Sequence, residues 1–153
     1  MTLAEQLTKH EGRRLRVYDD ATGKPLKKGM TLVGNPTIGI GRNLADPGLS
    51  EDEAGVLFGN DVAQRLEALA AALPFFAGLP EVRKRVLLDM SFMGVAKLLK
   101  FKRMLAAIER GEWATARREM ERSKWATQVQ PARVHCLGHM LEFDAEPEEE
   151  AKG

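Results

Sequence analysis

The chain has 153 residues, enough for one domain or two small lobes, and its 44% hydrophobic and 29% charged residues are typical of an ordinary water-soluble protein. It contains no apolar run near the roughly 20 residues that a membrane span requires and no signal peptide, so we expect it to start in the cytoplasm. The net charge of +1 combines a body of +6 over residues 1–141 with six acids and one lysine in residues 142–153, and the basic body favours an anionic partner.

The first predicted element is an amphipathic helix that starts at the capping-box pattern of residues 2–5. Leu3, Leu7 and Glu11 recur at helical spacing, which places the Glu11 carboxyl on the apolar side of this helix. Gly12 is a suitable C-cap. Burial beside the negative end of the helix dipole would favour the protonated form of Glu11, as a general acid requires.

Turn-rich sequence follows the first helix and separates three short apolar segments. Residues 15–17, 31–33 and 37–40 are predicted strands, because these short segments are rich in apolar and β-branched residues. Glycines and prolines separate them from one another. Together they predict a small, irregular antiparallel sheet.

The remainder of the chain is predicted to be helical. A second capping-box pattern at residues 50–53 starts a connecting helix over residues 50–73, and further apolar periodicity predicts a helical lobe over 74–141. The fold class is therefore α+β, mainly α, with an N-terminal lobe over 1–49. A cleft between the lobes is the expected ligand site, and residues 142–153 are expected to be a disordered acidic tail.

Three polar residues of the N-terminal lobe could carry chemistry together. Glu11 supplies an acid, Asp20 lies in a solvated turn where it stays ionised, and Thr37 offers a hydroxyl that can orient a water. Gly39 leaves room for a ligand near the backbone. An acid, a base and a water-holding hydroxyl are the components of an inverting glycosidase. Each residue also has a purely structural interpretation. Glu11 would be an ordinary surface carboxylate, Asp20 would stabilise a turn, and Thr37 would belong to a tight strand.

The segment HEGRRLRVYDD…NPTIGIGR resembles the phage-type, T4-lysozyme-like endolysins of glycoside hydrolase family 24, whose motif is Glu-x8-Asp-x5-Thr. The resemblance continues through SEDEAGVLFGNDV, LLDMSFMG, KRMLAAIERGEWATARREM and SKWATQVQPAR. It covers about residues 3–141 and implies a lysozyme-like fold with two lobes.

The resemblance also implies an activity and roles for residues. Glu11 would protonate the β-1,4 glycosidic oxygen between N-acetylmuramic acid and N-acetylglucosamine in peptidoglycan, while Asp20 and Thr37 would position the attacking water. The implied substrate-binding residues are Gly39, Phe92, Gln128 and Arg133, with Arg133 facing the acid across the cleft.

The resemblance further implies the biological setting. A monomeric endolysin without cofactor, metal or nucleic-acid partner would wait in the host cytoplasm. It would reach the periplasmic peptidoglycan, and lyse the host, after a separate protein permeabilises the membrane.

The sequence departs from the family pattern at several places. Sixteen residues instead of five separate Asp20 from Thr37, and the additional residues are roughly 24–34, which include three lysines. Arg42 stands where a histidine is common. Met93 replaces an amide residue, and Cys136 replaces a second arginine of the last helix.

Other functions remain open on sequence alone. A lytic transglycosylase uses one acid and no water, and a catalytically inactive relative would only bind the wall. The basic body also fits a helical nucleic-acid-binding protein, although no recognition-helix motif is present. His135 and His139 have the i, i+4 spacing of a zinc pair but no evident third ligand.

Overall fold

A computed structural model describes residues 1–149 of the chain. These residues belong to two compact units, of which unit 1 is Met1–Leu57 and unit 2 begins at Phe58. Unit 1 contains α1 (Leu3–Glu11), β1 (Arg14–Asp19), β2 (Pro36–Gly39), β3 (Arg42–Asn43) and the start of α2 (Glu51–Ala72). The predicted α+β, mainly α fold class is confirmed.

The remaining elements lie in unit 2. A short 3₁₀ turn (Phe76–Gly78) follows α2, and six helices follow it: α3 (Glu81–Ser91), α4 (Val95–Leu98), α5 (Lys102–Glu109), α6 (Trp113–Glu121), α7 (Lys124–Gln128) and α8 (Pro131–Phe143). None of the described helices combines the length and the apolarity that crossing a membrane requires.

Helix α1 has the predicted ends but not the predicted burial. The Thr2 hydroxyl accepts a hydrogen bond from the Glu5 N–H, and the Glu5 carboxylate accepts one from the Thr2 N–H at 2.6 Å, so the capping box is complete. Gly12 ends the helix with φ of +75° and donates its N–H to the Thr8 carbonyl. No residue of α1 is buried.

Strands β1, β2 and β3 form one antiparallel sheet in that order, which confirms the predicted small sheet. Tyr18 lies opposite Thr37 in the register, and Thr37 lies opposite Asn43. The prediction of a strand at residues 31–33 is wrong. The N–H of Val33 donates to the carboxylate of Asp19 instead of joining a ladder, so a buried side chain takes the place of a partner strand.

Helix α2 covers Glu51–Ala72, close to the predicted 50–73. The Ser50 hydroxyl accepts the N–H of Glu53 at 3.1 Å. The Glu53 carboxylate pairs with Arg42 at 2.6 Å, and this hydrogen bond is the main cause that lowers the pKa of Glu53. Arg42 therefore ties β3 to the first turn of α2.

The hydrophobic core of unit 2 is built from helix faces at 3.6-residue spacing. Its fully buried large side chains are Leu69, Val86, Leu87, Met90, Leu98, Met104, Ile108, Met120 and Leu141. Each such side chain contributes about 1.5–3 kcal/mol relative to its exposed state. Helix α3 supplies three of these residues.

Helix α8 extends two residues beyond the expected limit, to Phe143, and Asp144 ends it in the left-handed region at φ of +56°. Polar contacts explain the extension, because Arg83 donates to the carbonyls of Leu141 and Glu142. Glu142 also pairs with Arg117 at 2.8 Å. The first two residues of the predicted disordered tail, 142–153, are therefore helical, and its residues 150–153 lie outside the described residues.

Candidate active site

Glu11 is the last residue of α1, and its carboxyl lies against the backbone of Gly41, just beyond β2. A Cβ built on Gly41 would be 3.0 Å from Glu11 Oε2, and the φ of Gly41 is +70°. Only glycine meets both conditions without strain. Glu11 itself is exposed, so the burial expected from its place on the apolar stripe is not found.

Asp20 directly follows β1 and is held by Asn35. The Asn35 N–H donates to Asp20 Oδ1 at 2.6 Å, and the Asn35 side-chain amide donates to Oδ2 at 3.2 Å. In return, the Asp20 N–H donates to the Asn35 carbonyl at 3.1 Å. Asp20 is exposed, as predicted, and each oxygen keeps a lone pair for a further donor such as water.

Thr37 is buried on β2, with a side chain only 3% exposed. Its hydroxyl donates to the Asn35 carbonyl at 3.1 Å. Asn35 therefore connects the predicted base and the predicted hydroxyl, and the hydroxyl oxygen can still accept a hydrogen bond. Sequence reasoning did not select Asn35, although a polar residue immediately before Pro-Thr-Ile-Gly was a usable signal.

Asp19 is the buried carboxylate of the site, 1% exposed, and sequence reasoning missed it. Oδ2 accepts the Val33 N–H at 2.7 Å, while Oδ1 accepts the N–H groups of Ala21 at 2.9 Å and Gly34 at 3.0 Å. The Val33 hydrogen bond is the main cause that lowers the pKa of Asp19, and the burial of the carboxyl opposes it. Asp19 thus fixes the end of the 24–34 insertion beside Asn35.

Gly34 must remain small because a Cβ there would clash with the Asp20 carboxylate and with Ala21. Gly39 differs, since a Cβ on it would meet no atom within 4 Å, which leaves open space beside β2. The structure therefore brings four predicted residues together along one strand. Glu11 lies at the Gly41 end, Asp20 lies at the Asn35 end, and Thr37 lies between them.

The other three predicted substrate-binding residues lie in unit 2. Phe92 caps the C-terminus of α3 and is 40% exposed, with the Arg65 guanidinium 4.2 Å from its ring centroid. Gln128 is the exposed last residue of α7. Arg133 pairs with Asp89 at 2.6 Å, a partner that sequence reasoning missed. Its expected pairing with Glu11 stays a prediction.

The two histidines and the cysteine of α8 pack locally. The rings of His135 and His139 are 6.4 Å apart, and His139 lies 4.8 Å from the ring of Phe143. The Cys136 thiol lies 3.8 Å from the sulfur of Met140. Within residues 1–149, three metal-ligating side chains do not come together at any point.

Comparisons with known proteins identify relatives of two kinds. The pre-baseplate central spike protein Gp5 of Enterobacteria phage T4 is 31% identical over an alignment of 147 positions, gaps included, and this alignment covers 84% of this chain but only 26% of Gp5. The probable T4-type lysozymes 1 and 2 of Dictyostelium discoideum are 26% and 27% identical, and the alignments cover 84% of this chain and 86% of each relative. No protein-family model matches the chain.

Proposed function

Because this chain is a T4-lysozyme-like protein, as its motifs predicted, we propose that it is a muramidase that hydrolyses bacterial peptidoglycan. The bond cleaved is the β-1,4 linkage between N-acetylmuramic acid and N-acetylglucosamine. The observation that carries the proposal is the arrangement along β2, where Glu11 and Asp20 lie at opposite ends and Thr37 lies between them.

In the proposed reaction, the Glu11 carboxyl gives its proton to the glycosidic oxygen as the bond to the anomeric carbon breaks. A water held by Asp20 and the Thr37 hydroxyl forms the new bond to that carbon and gives its proton to Asp20. Asn35 supports this step because it fixes both oxygens of Asp20. Exchange with solvent then returns both carboxyls to their starting states.

We propose single displacement with inversion at the anomeric carbon. The position of the acid and the base at opposite ends of β2 supports this proposal, because inverting glycosidases hold a water between the sugar and the base, which retaining enzymes lack at the first step. Asp20 accepts hydrogen bonds from Asn35 at both carboxylate oxygens, and these fix the orientation of the carboxyl for its proposed role as the base. Phe92, Gln128 and Arg133 are proposed to contact the sugar chain.

The decisive experiment is the clearing of a purified peptidoglycan suspension by wild type and by Glu11→Gln. Loss of a positioned general acid lowers the rate by about 10²–10⁴-fold. Asp52→Asn is the matched control, since Asp52 is an exposed carboxyl in the first turn of α2. Equal clearing by wild type and Glu11→Gln would remove Glu11 from the mechanism.

Product analysis separates this proposal from a lytic transglycosylase. Hydrolysis leaves a reducing muramic acid, whereas the transglycosylase leaves a 1,6-anhydro end, and mass spectrometry distinguishes the two. An initial α-anomer in proton NMR supports inversion, and an initial β-anomer contradicts it. Binding to peptidoglycan without any product would instead identify an inactive wall-binding relative.

We further propose that the protein acts as a monomeric endolysin in host lysis. It waits in the host cytoplasm and reaches the periplasmic peptidoglycan after a separate protein permeabilises the membrane. Expression in bacteria with and without a membrane-permeabilising agent tests this setting, and lysis should require the agent. Sedimentation of the purified protein tests the monomeric state.

A further inference from the structure

Unit 2 contains a basic cavity of about 620 Å³ at the junction of α4, α5, α6 and α7. Its lining brings cations from four stretches of the chain to one concave surface. These cations are Lys97, Lys100, Lys102, Arg103, Arg122 and Lys124. The proposed muramidase mechanism uses none of them.

The cations of this basic cavity have no anionic partners in the part of the chain that is described, residues 1–149. Three arginines elsewhere in unit 2 differ in this respect, since Arg85, Arg110 and Arg117 each pair with a glutamate within 3.0 Å. Cations that line one concave surface repel one another electrostatically. An anion in the cavity would relieve that repulsion.

A carboxylate, Glu119, also lines the basic cavity, where it is partly buried and has no described hydrogen-bond donor. It can accept hydrogen bonds from the hydroxyls of a ligand. The nearby Ser123 hydroxyl already makes hydrogen bonds within the protein, because it donates to the Met120 carbonyl and accepts the Ala126 N–H. The lining therefore suits a ligand that carries both an anionic group and hydroxyls.

The packing of the aromatic residues at the basic cavity indicates that its ligand is not a nucleic acid. Single-stranded binding sites stack bases on open aromatic faces. Here Trp125 is only 8% exposed, and its ring packs edge-on to Phe101 with centroids 6.4 Å apart. Trp125 therefore supports the wall of the cavity and exposes too little of its ring for a base to stack on it.

We propose that the basic cavity binds a phosphate group carried on a sugar, as in phosphorylated glycans of the bacterial envelope. Its volume is within the roughly 300–1,000 Å³ of small-ligand pockets, so a whole sugar phosphate fits. The choice of an envelope glycan rests on the proposed muramidase function, whereas the preference for a sugar phosphate rests on the lining alone. Bound there, the protein is held on the polymer that surrounds its substrate.

Calorimetry with N-acetylglucosamine 1-phosphate as the probe tests the site on the full chain at low ionic strength. N-acetylglucosamine and inorganic phosphate are the matched ligands. The sugar phosphate should bind at least about tenfold more tightly than either, because it makes charge-assisted contacts and hydroxyl contacts together. In NMR, the indole N–H signal of Trp125 should shift with the sugar phosphate.

A pair of double variants locates the binding. Lys100→Gln with Lys124→Gln removes cations from two sides of the basic cavity and should weaken binding about tenfold or more. Lys27→Gln with Lys28→Gln removes the same charge from an exposed turn of unit 1 and should change binding by less than about twofold. Thermal unfolding of both variants checks that they fold.

Several results would overturn the proposal: equal losses in the two double variants, equal affinity for inorganic phosphate and the sugar phosphate, or an unmoved Trp125 signal at saturation. Tighter binding of a single-stranded oligonucleotide that displaces the sugar phosphate would replace it with a nucleic-acid site. Clearing of peptidoglycan stripped of phosphate polymers tests the muramidase function separately. Failure of one measurement with success of the other therefore identifies which proposal is wrong.

Discussion

Asn35 holds both carboxylate oxygens of Asp20, through its backbone N–H at 2.6 Å and its side-chain amide at 3.2 Å. The same residue accepts the hydrogen bond of the Thr37 hydroxyl. Asn35 is therefore a positioning residue that acts through the proposed base and the proposed water-holding hydroxyl. Its contribution to the reaction rate can be measured separately from theirs.

Asn35→Ala removes the side-chain hydrogen bond to Asp20 and keeps the backbone one. Since only the orientation of Asp20 loosens, we expect kcat for peptidoglycan hydrolysis to fall about tenfold while KM stays near its wild-type value. Steady-state kinetics on peptidoglycan measures kcat and KM separately. Asn60→Ala, at an exposed position of α2, is the control and should leave both constants unchanged. A rise in KM alone would assign Asn35 to substrate binding.

Gly41→Ala tests the contact between β2 and Glu11. The added methyl would meet Glu11 Oε2 at 3.0 Å and move the carboxyl, so activity should fall at least about tenfold. Gly29→Ala is the matched control, because Gly29 has φ of +86° but no atom within 4 Å of a Cβ. Both variants should lose about 1–2 kcal/mol of stability from the left-handed backbone. Equal activity in the two would show that the methyl does not displace Glu11.

Asp19→Asn tests the buried carboxylate that fixes the insertion. Hydrogen bonds led by the one from Val33 lower the pKa of Asp19 in the folded protein. Its contribution to stability is therefore fully present above the ordinary pKa of 3.8 and is lost as the pH falls through the folded pKa. Thermal unfolding should show the largest deficit of the variant at neutral pH and a shrinking deficit below pH 3.8.

Asp52→Asn is the control for this profile, since Asp52 is exposed at the start of α2. Its unfolding temperature should track that of wild type at each pH. A deficit of Asp19→Asn that persists unchanged into acid would mean that the charge of Asp19 is not what fixes the insertion.

The Arg133–Asp89 pair separates stability from substrate binding. Both side chains are more than 40% exposed, so a double-mutant cycle in unfolding free energy should give a coupling below about 1 kcal/mol. If Arg133 binds substrate, Arg133→Gln raises KM, whereas Asp89→Asn leaves it unchanged. Arg118→Gln, which removes an exposed arginine of α6, is the control for lost charge. Unchanged KM in Arg133→Gln would exclude its proposed role.

Local patterns in the sequence were sufficient for much of the fold. The capping box at residues 2–5, the Gly12 cap and the limits of α2 follow from contacts between residues a few positions apart. The match of Glu11, Asp20 and Thr37 to the motif of the T4-lysozyme-like family was likewise recognisable from the sequence alone. The strand predicted at residues 31–33 from their β-branched pattern is wrong, because the backbone there donates a hydrogen bond to the carboxylate of Asp19 instead of to a partner strand.

Only the tertiary structure identified the residues that support the site. Asn35 contacts Asp20 from fifteen residues away in sequence, and Gly41 lies against Glu11 although a long insertion separates them. No local periodicity encodes such pairs, since they exist only after β1 and β2 pair in one register. The sequence by itself determined which groups could perform chemistry, and the folded backbone decided which residues hold those groups in place.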